Sequence, residues 1–195
     1  MSAELIEQEA VRLFSERSYP VIGMRDIGDA VGLLPGSLYV HISSKEDLLL
    51  RIVERGIQNY LDEIGAVAAT DDPASDRLCA AIMAHFRVLA RTLDQTRVAF
   101  QQWTYLGADK QPAVVAMRQK YEDLFVGIVR DGIASGEFRP VRNLRVSVLA
   151  IIGMLVSAPN WYKPSGALGP EEVGAEYADV ALAGMTAGQT RAPTR

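Results

Sequence analysis

The sequence predicts an all-α protein: an N-terminal three-helix module over residues 1–46, a larger helical domain over 47–185 and a tail over 186–195. Three observations predict it. Apolar residues recur at helical spacing along nearly the whole chain. No run of alternating β-branched residues is long enough to argue for a sheet. Pro20, Gly32, Pro35, Pro112, Gly136 and Pro170 stand where the apolar stripes begin or stop. With 49 % hydrophobic residues in 195, the chain can bury a full core in one or two domains.

Ile6, Ala10, Leu13 and Phe14 form one apolar helix face ending near Arg17, and Tyr19-Pro20 stops that helix because the residue before proline leaves the helical region. Met24, Ile27 and Val31 mark a short second helix that Gly32 closes in the left-handed C′ position. Only Leu33 and Leu34 precede Pro35, which is suited to a first helical position and opens a third helix over 35–42. Two short helices joined by a tight glycine-containing turn make a helix-turn-helix. Residues 43–47, Ser-Ser-Lys-Glu-Asp, read as a capping box for a fourth helix, whose stripe runs from Leu48 to Ile64.

Residues 70–75 read as a loop, and Leu78, Ile82, Phe86, Leu89 and Leu93 mark the next helix, followed by an aromatic segment around Phe100 and Trp103. Pro112 opens a helix that Gly136 ends. The last two helices, 144–158 and 170–185, are rich in small and aliphatic residues, including Ala150, Gly153, Ala181 and Gly184. Such surfaces allow close helix approach, and a pair from each of two chains makes a four-helix bundle, so a homodimer is expected here. The tail lacks apolar anchors and is expected to be disordered.

Composition narrows the function classes. The first ten residues carry three glutamates and no cation, unlike an export or transit peptide. The apolar stretch 146–158 is shorter than the roughly 20 residues of a membrane span, so a cytoplasmic protein without a membrane partner is expected. Cys79, the single cysteine, sits in a helical pattern and reads as a buried structural thiol. Two histidines and one cysteine, far apart, offer no metal-ligand spacing, nucleophile elbow or phosphate loop, which argues against an enzyme, a metal site or a cofactor.

In a helix-turn-helix the second helix enters the major groove by its N-terminal residues. Here these are Pro35, Gly36, Ser37 and Tyr39. Gly36 leaves room for close approach, Ser37 can bond a base edge or phosphate, and Tyr39 and His41 reach phosphates at the far end. Arg25 is either a phosphate ligand or a surface partner of Asp26 or Asp29. Tyr39 also suits a half-buried core position, and Ser37 an ordinary helix start. Lys45 opposes the helix dipole in a first turn, which a phosphate contact explains. The net charge of −4 and the seven acids against four Lys or Arg in residues 1–46 leave no basic surface, so affinity must rest on geometry and a few cations.

These residues carry a resemblance. Leu13-Phe14, the MRDIG of 24–28, the GSLY of 36–39, His41 and the SKEDLL of 44–49 resemble the N-terminal signature of the tetracycline-repressor (TetR) family. The resemblance implies a homodimeric repressor whose helical C-terminal domain binds a small effector that releases it from a palindromic, double-stranded DNA operator. Three positions depart from the pattern. Gly23 replaces a capping Thr or Ser that touches phosphate, Gly28 replaces an alanine, and Ile42 replaces a phenylalanine.

For the effector, Phe86, Leu89, Phe100, Trp103, Met117, Tyr121, Leu124, Phe125 and Met154 are candidates to line an apolar cavity, with plain core packing as the other reading. Residues 160–166, Asn-Trp-Tyr-Lys-Pro-Ser-Gly, are similar to an element of TetR-family regulators of fatty-acid and sterol catabolism. That similarity implies an acyl-CoA thioester as effector, with Trp161 packing on it and Lys163 meeting its phosphates. A loop that anchors a dimer by its aromatics is the other reading of this element. A xenobiotic- or drug-sensing repressor, and a helical ligand-binding dimer without DNA binding, are the alternative functions.

Overall fold

The computed structural model describes residues 2–186, where nine α-helices and two 3-10 turns form two compact units. The expected boundary at residue 46 falls inside the first unit, which comprises the chain up to Asn59 together with Thr92–Gln119. Of the tail, only Thr186 is described, and it forms an isolated antiparallel bridge with Phe138. Residues 187–195 lie outside the described residues.

The first unit holds α1 (Ala3–Arg17), α2 (Met24–Val31), α3 (Pro35–Leu38), the first part of α4 (Lys45–Ala68), α6 (Leu93–Gln101), the turn Trp103–Tyr105 and the start of α7 (Gln111–Ser135). Ile6, Ala10 and Phe14, the stripe read from α1, are fully buried with Ile27, Leu38, Leu48, Leu49 and Ile52. The chain leaves α1 through its C-cap Ser18, which takes a positive φ of 71° ahead of Pro20. Gly32 ends α2 at φ 69°, and Leu33 N–H bonds back to the Gly28 carbonyl at 2.9 Å, a Schellman closure. Gly28 itself is needed there: a Cβ would stand 2.7 Å from the Leu33 carbonyl oxygen.

The third helix is shorter than the 35–42 expected. After Leu38 the His41 N–H bonds the Leu38 carbonyl at 2.9 Å, an i to i+3 turn that tightens the chain. Three residues after His41 it must deliver Ser44, whose hydroxyl accepts the Asp47 N–H at 3.0 Å and caps α4.

The second unit comprises Tyr60–Arg91 and residues from 120 on, with the rest of α4 and α7, α5 (Ala74–Arg91), α8 (Leu144–Ser157), the turn Ala158–Asn160 and α9 (Pro170–Met185). Helices α5 and α9 pack along each other closely enough that a Cβ on Gly174 would stand 2.9 Å from the Met83 sulfur. Glu137 caps α5 from 62 residues away, accepting the Ser75 N–H at 2.9 Å and the Ala74 N–H at 3.1 Å. These bonds, the Ser75 N–H first, hold its carboxyl well below the usual range, at about 2. Cys79 is half-buried rather than buried as expected. No helix of the described residues is long and apolar enough to cross a membrane.

Candidate nucleic-acid interface and effector grooves

Helices α2 and α3 present the residues the sequence singles out. Arg25 is exposed, and no ion pair to it exists among the described residues, so the pairing with Asp26 or Asp29 is absent. Asp26 accepts the Gly23 N–H at 2.6 Å, taking over the N-terminus of α2 that Gly23, lacking a side chain, leaves uncapped. Pro35 opens α3, and Gly36 and Ser37 are exposed. Tyr39 is 55 % exposed and so is no core residue, while His41 is half-buried. Leu34 and Val40, 78 % and 81 % exposed, flank them. Sequence reasoning passed over these two, although each stands off the buried stripe, which is the signal for an outward-facing apolar residue. The surface around α3 is thus aromatic and apolar, suited to thymine methyl contact, with little charge.

Lys45 is placed differently from the expectation. Its ammonium donates to the Tyr19 carbonyl at 2.6 Å and lies 4.0 Å from the centre of the Tyr19 ring. Desolvation lowers its pKa, with Asp26 opposing that shift. A cation at this helix start is therefore explained within the chain by a carbonyl and a ring face.

Tyr19 is held in turn from the segment after α6. Its N–H donates to Gln102 Oε1 at 2.7 Å, its ring stacks on Tyr105 at 5.9 Å, and the buried Gln102 also donates to the Phe14 carbonyl at 2.8 Å. Glu46 accepts the Gly107 N–H at 2.6 Å, and Lys110 reaches Glu46 at 3.1 Å and Asp47 at 2.6 Å. The Gly107 N–H first and Lys110 second lower the Glu46 pKa, and Lys110 lowers that of Asp47. Residues 102–110 thus grip both ends of the helix-turn-helix at Tyr19 and at the start of α4.

The effector candidates are divided between the two units. Phe86, Tyr121 and Phe125 are buried in the second unit around Tyr60 and His85. His85, which the sequence offers either as a polar contact of the pocket or as a satisfied core group, has Nδ1 2.9 Å from the Tyr121 hydroxyl. Complete burial pushes its pKa down to about 3, against the Leu155 backbone, which acts in the opposite sense. Leu89 is buried, and Leu124 and Met154 are half-buried. Phe100 and Trp103 lie in the first unit, where the Arg118 guanidinium stands 5.6 and 5.2 Å from their ring centres. Met117 lines another groove of that unit.

Trp161 and Lys163 line a groove of about 360 Å3 with Tyr162, Leu168, Val173 and Tyr177. Trp161 stacks on Tyr177 at 6.1 Å yet remains 48 % exposed, and Lys163 is exposed at the rim. The lining is mainly apolar and carries one cation, Lys163, and one carboxylate, Glu176, which suits a ligand with a large apolar part.

Comparison with known proteins decides the family. The description "Bacterial regulatory proteins, tetR family" matches residues 6–52, and "Tetracyclin repressor-like, C-terminal domain" matches residues 71–185. The chain belongs to the TetR family. As a TetR regulator it is a DNA-binding transcriptional regulator, and residues 6–52 hold the helix-turn-helix built above. The repressor KstR2 of Mycolicibacterium smegmatis is 31 % identical to this TetR regulator over 187 residues, covering 93 % of this chain and 89 % of that protein. The structure of the ketosteroid transcriptional regulator KstR2 of Mycobacterium tuberculosis superimposes with a TM-score of 0.88 at 24 % identity, over 95 % of each chain. That of AibR in complex with isovaleryl coenzyme A and operator DNA does so with a TM-score of 0.82 at 23 % identity, over 94 % of this chain and 97 % of that one.

Proposed function

We propose that this TetR regulator is a repressor that binds a palindromic operator as a homodimer and leaves it when an acyl-CoA thioester of a lipophilic acid occupies its C-terminal domain. The observation that carries the effector class is the Trp161 groove, where an exposed indole can stack on an adenine and Lys163, beside the carboxylate Glu176, can meet a phosphate. The relatives support it: KstR2 is named a repressor, and AibR has been solved with a CoA thioester and operator DNA.

On the DNA side, α3 would meet the major groove through Pro35, Gly36, Ser37 and Tyr39, with Arg25 and His41 toward phosphates. Lys45 would serve a phosphate only by exchanging the Tyr19 carbonyl for it. Dimerisation fits the outer face of α8 and α9, where Val146, Leu149, Ala150, Gly153, Val180 and Ala183 are exposed. The deciding experiment is a gel shift on palindromic DNA upstream of the protein's own gene, with and without a panel of acyl-CoA thioesters. Trp161→Ala should keep operator affinity and require about tenfold more thioester for release. Release of wild type and variant at equal thioester concentration would move the effector elsewhere, and no binding to any palindrome at low salt would remove the operator reading.

A further inference from the structure

A groove of about 460 Å3 runs along α4 in the first unit, lined by Arg51, Glu54, Arg55, Gln58 and Asn59 of that helix and by Met117 of α7. Two atoms of Arg51, Nε and Nη2, are shielded from solvent and have no hydrogen-bond partner. Their N–H groups together form the side-on edge of the guanidinium, the edge that accepts both oxygens of a carboxylate. A buried edge of this kind without an acceptor is unfavourable, so Arg51 sits on α4 at a cost to the fold.

Neighbouring carboxylates do not fill the place. Asp47, one turn earlier, is held by Lys110 at 2.6 Å and by the Ser44 hydroxyl at 2.8 Å. Glu7 is taken by Arg55 at 3.1 Å. Glu54 lines the same groove but makes no ion pair among the described residues, and its charge disfavours a dianion there. Met117 supplies an apolar, unbranched and adaptable wall.

We infer that this groove is a second ligand site, taking a small monocarboxylate with an apolar body, its two oxygens on Nε and Nη2 of Arg51 and its body against Met117. The site is built from residues of the first unit and does not rest on the thioester reading, whose groove belongs to the second.

The test is titration calorimetry on the full chain with sodium hexanoate, run beside 1-hexanol and inorganic phosphate. Hexanoate should bind saturably, and hexanol and phosphate should not. Arg51→Met should weaken hexanoate about tenfold or more. Arg51→Lys, which keeps the charge but not the two-pronged edge, should fall between. Trp161→Ala should bind hexanoate like wild type. Should Arg51→Met not fold, the 15N shift of Arg51 Nε in the wild-type protein decides, and it should move on hexanoate addition. The inference is overturned by equal hexanoate affinity in wild type and Arg51→Met, by no hexanoate binding at millimolar concentration, by phosphate binding in its place, by loss of hexanoate binding in Trp161→Ala, or by an unmoved Arg51 resonance.

Discussion

Gly36 has no left-handed backbone to justify it, and a methyl group built on it meets nothing within 4 Å. A helical glycine costs about 0.5–1 kcal/mol relative to alanine, so the fold alone would favour the larger residue. Gly36→Ala should therefore leave the melting temperature unchanged or raise it, while weakening operator binding about tenfold by fluorescence anisotropy, because the methyl group occupies space that DNA needs. Equal affinity would show that no close approach occurs at this residue. His85 gives a second residue-scale expectation. Its folded pKa of about 3 lies below the ordinary 6.5, so the unfolded chain binds the extra proton between these values. The His85 contribution to stability should be complete above pH 6.5 and be lost as pH drops toward 3. Urea denaturation from pH 7 to 4 should show His85→Gln losing less than wild type. Glu137 adds a loss of the same sign below pH 4.5, as its capping carboxylate protonates.

At the scale of elements, the segment 102–110 is the least legible in sequence and the most consequential for the DNA-facing helices. Its anchors, Gln102 on Tyr19 and Lys110 on Glu46 and Asp47, lie 83, 64 and 63 residues from their partners. No periodicity reports a pairing at that distance. Lys110→Met should lower operator affinity about two- to tenfold with unchanged helix content by circular dichroism, since α4 then starts from a less defined position. Unchanged affinity would mean that Tyr19 and Gln102 suffice. The dipole argument on Lys45 shows the same limit. It correctly marks a cation that α4 itself does not want, yet the partner is a carbonyl 26 residues back, found only when α1 and α4 are folded together.

For the whole molecule, a net charge of −4 and the few exposed cations around α3 would, in the homodimer proposed above, make dimer geometry part of DNA affinity. Leu149→Asp, on the exposed face of α8, should give monomers in analytical ultracentrifugation and reduce operator affinity about a hundredfold or more, because a half-site alone retains few contacts. A dimer of wild-type affinity in this variant would place the interface on another face. Operator binding should also weaken only shallowly with salt, since each phosphate neutralised adds about 0.9 to the slope and few are available.

By itself the sequence determined the helical class, the starts and stops at Gly32, Pro35, Gly136 and Pro170, and the helix-turn-helix, because these follow from periodicity and from backbone chemistry acting within a few residues. The same local rules offered Arg25, Gly36 and Ser37 as surface residues, but left Tyr39 open between the surface and a half-buried core position that the structure then excluded. Only the tertiary structure decided that α3 spans four residues, that Lys45 serves Tyr19, that Glu137 caps α5, and that the aromatic candidates fall into separate places. Each of these depends on groups far apart in the chain, whose contacts are set by how helices pack rather than by the residues next to them.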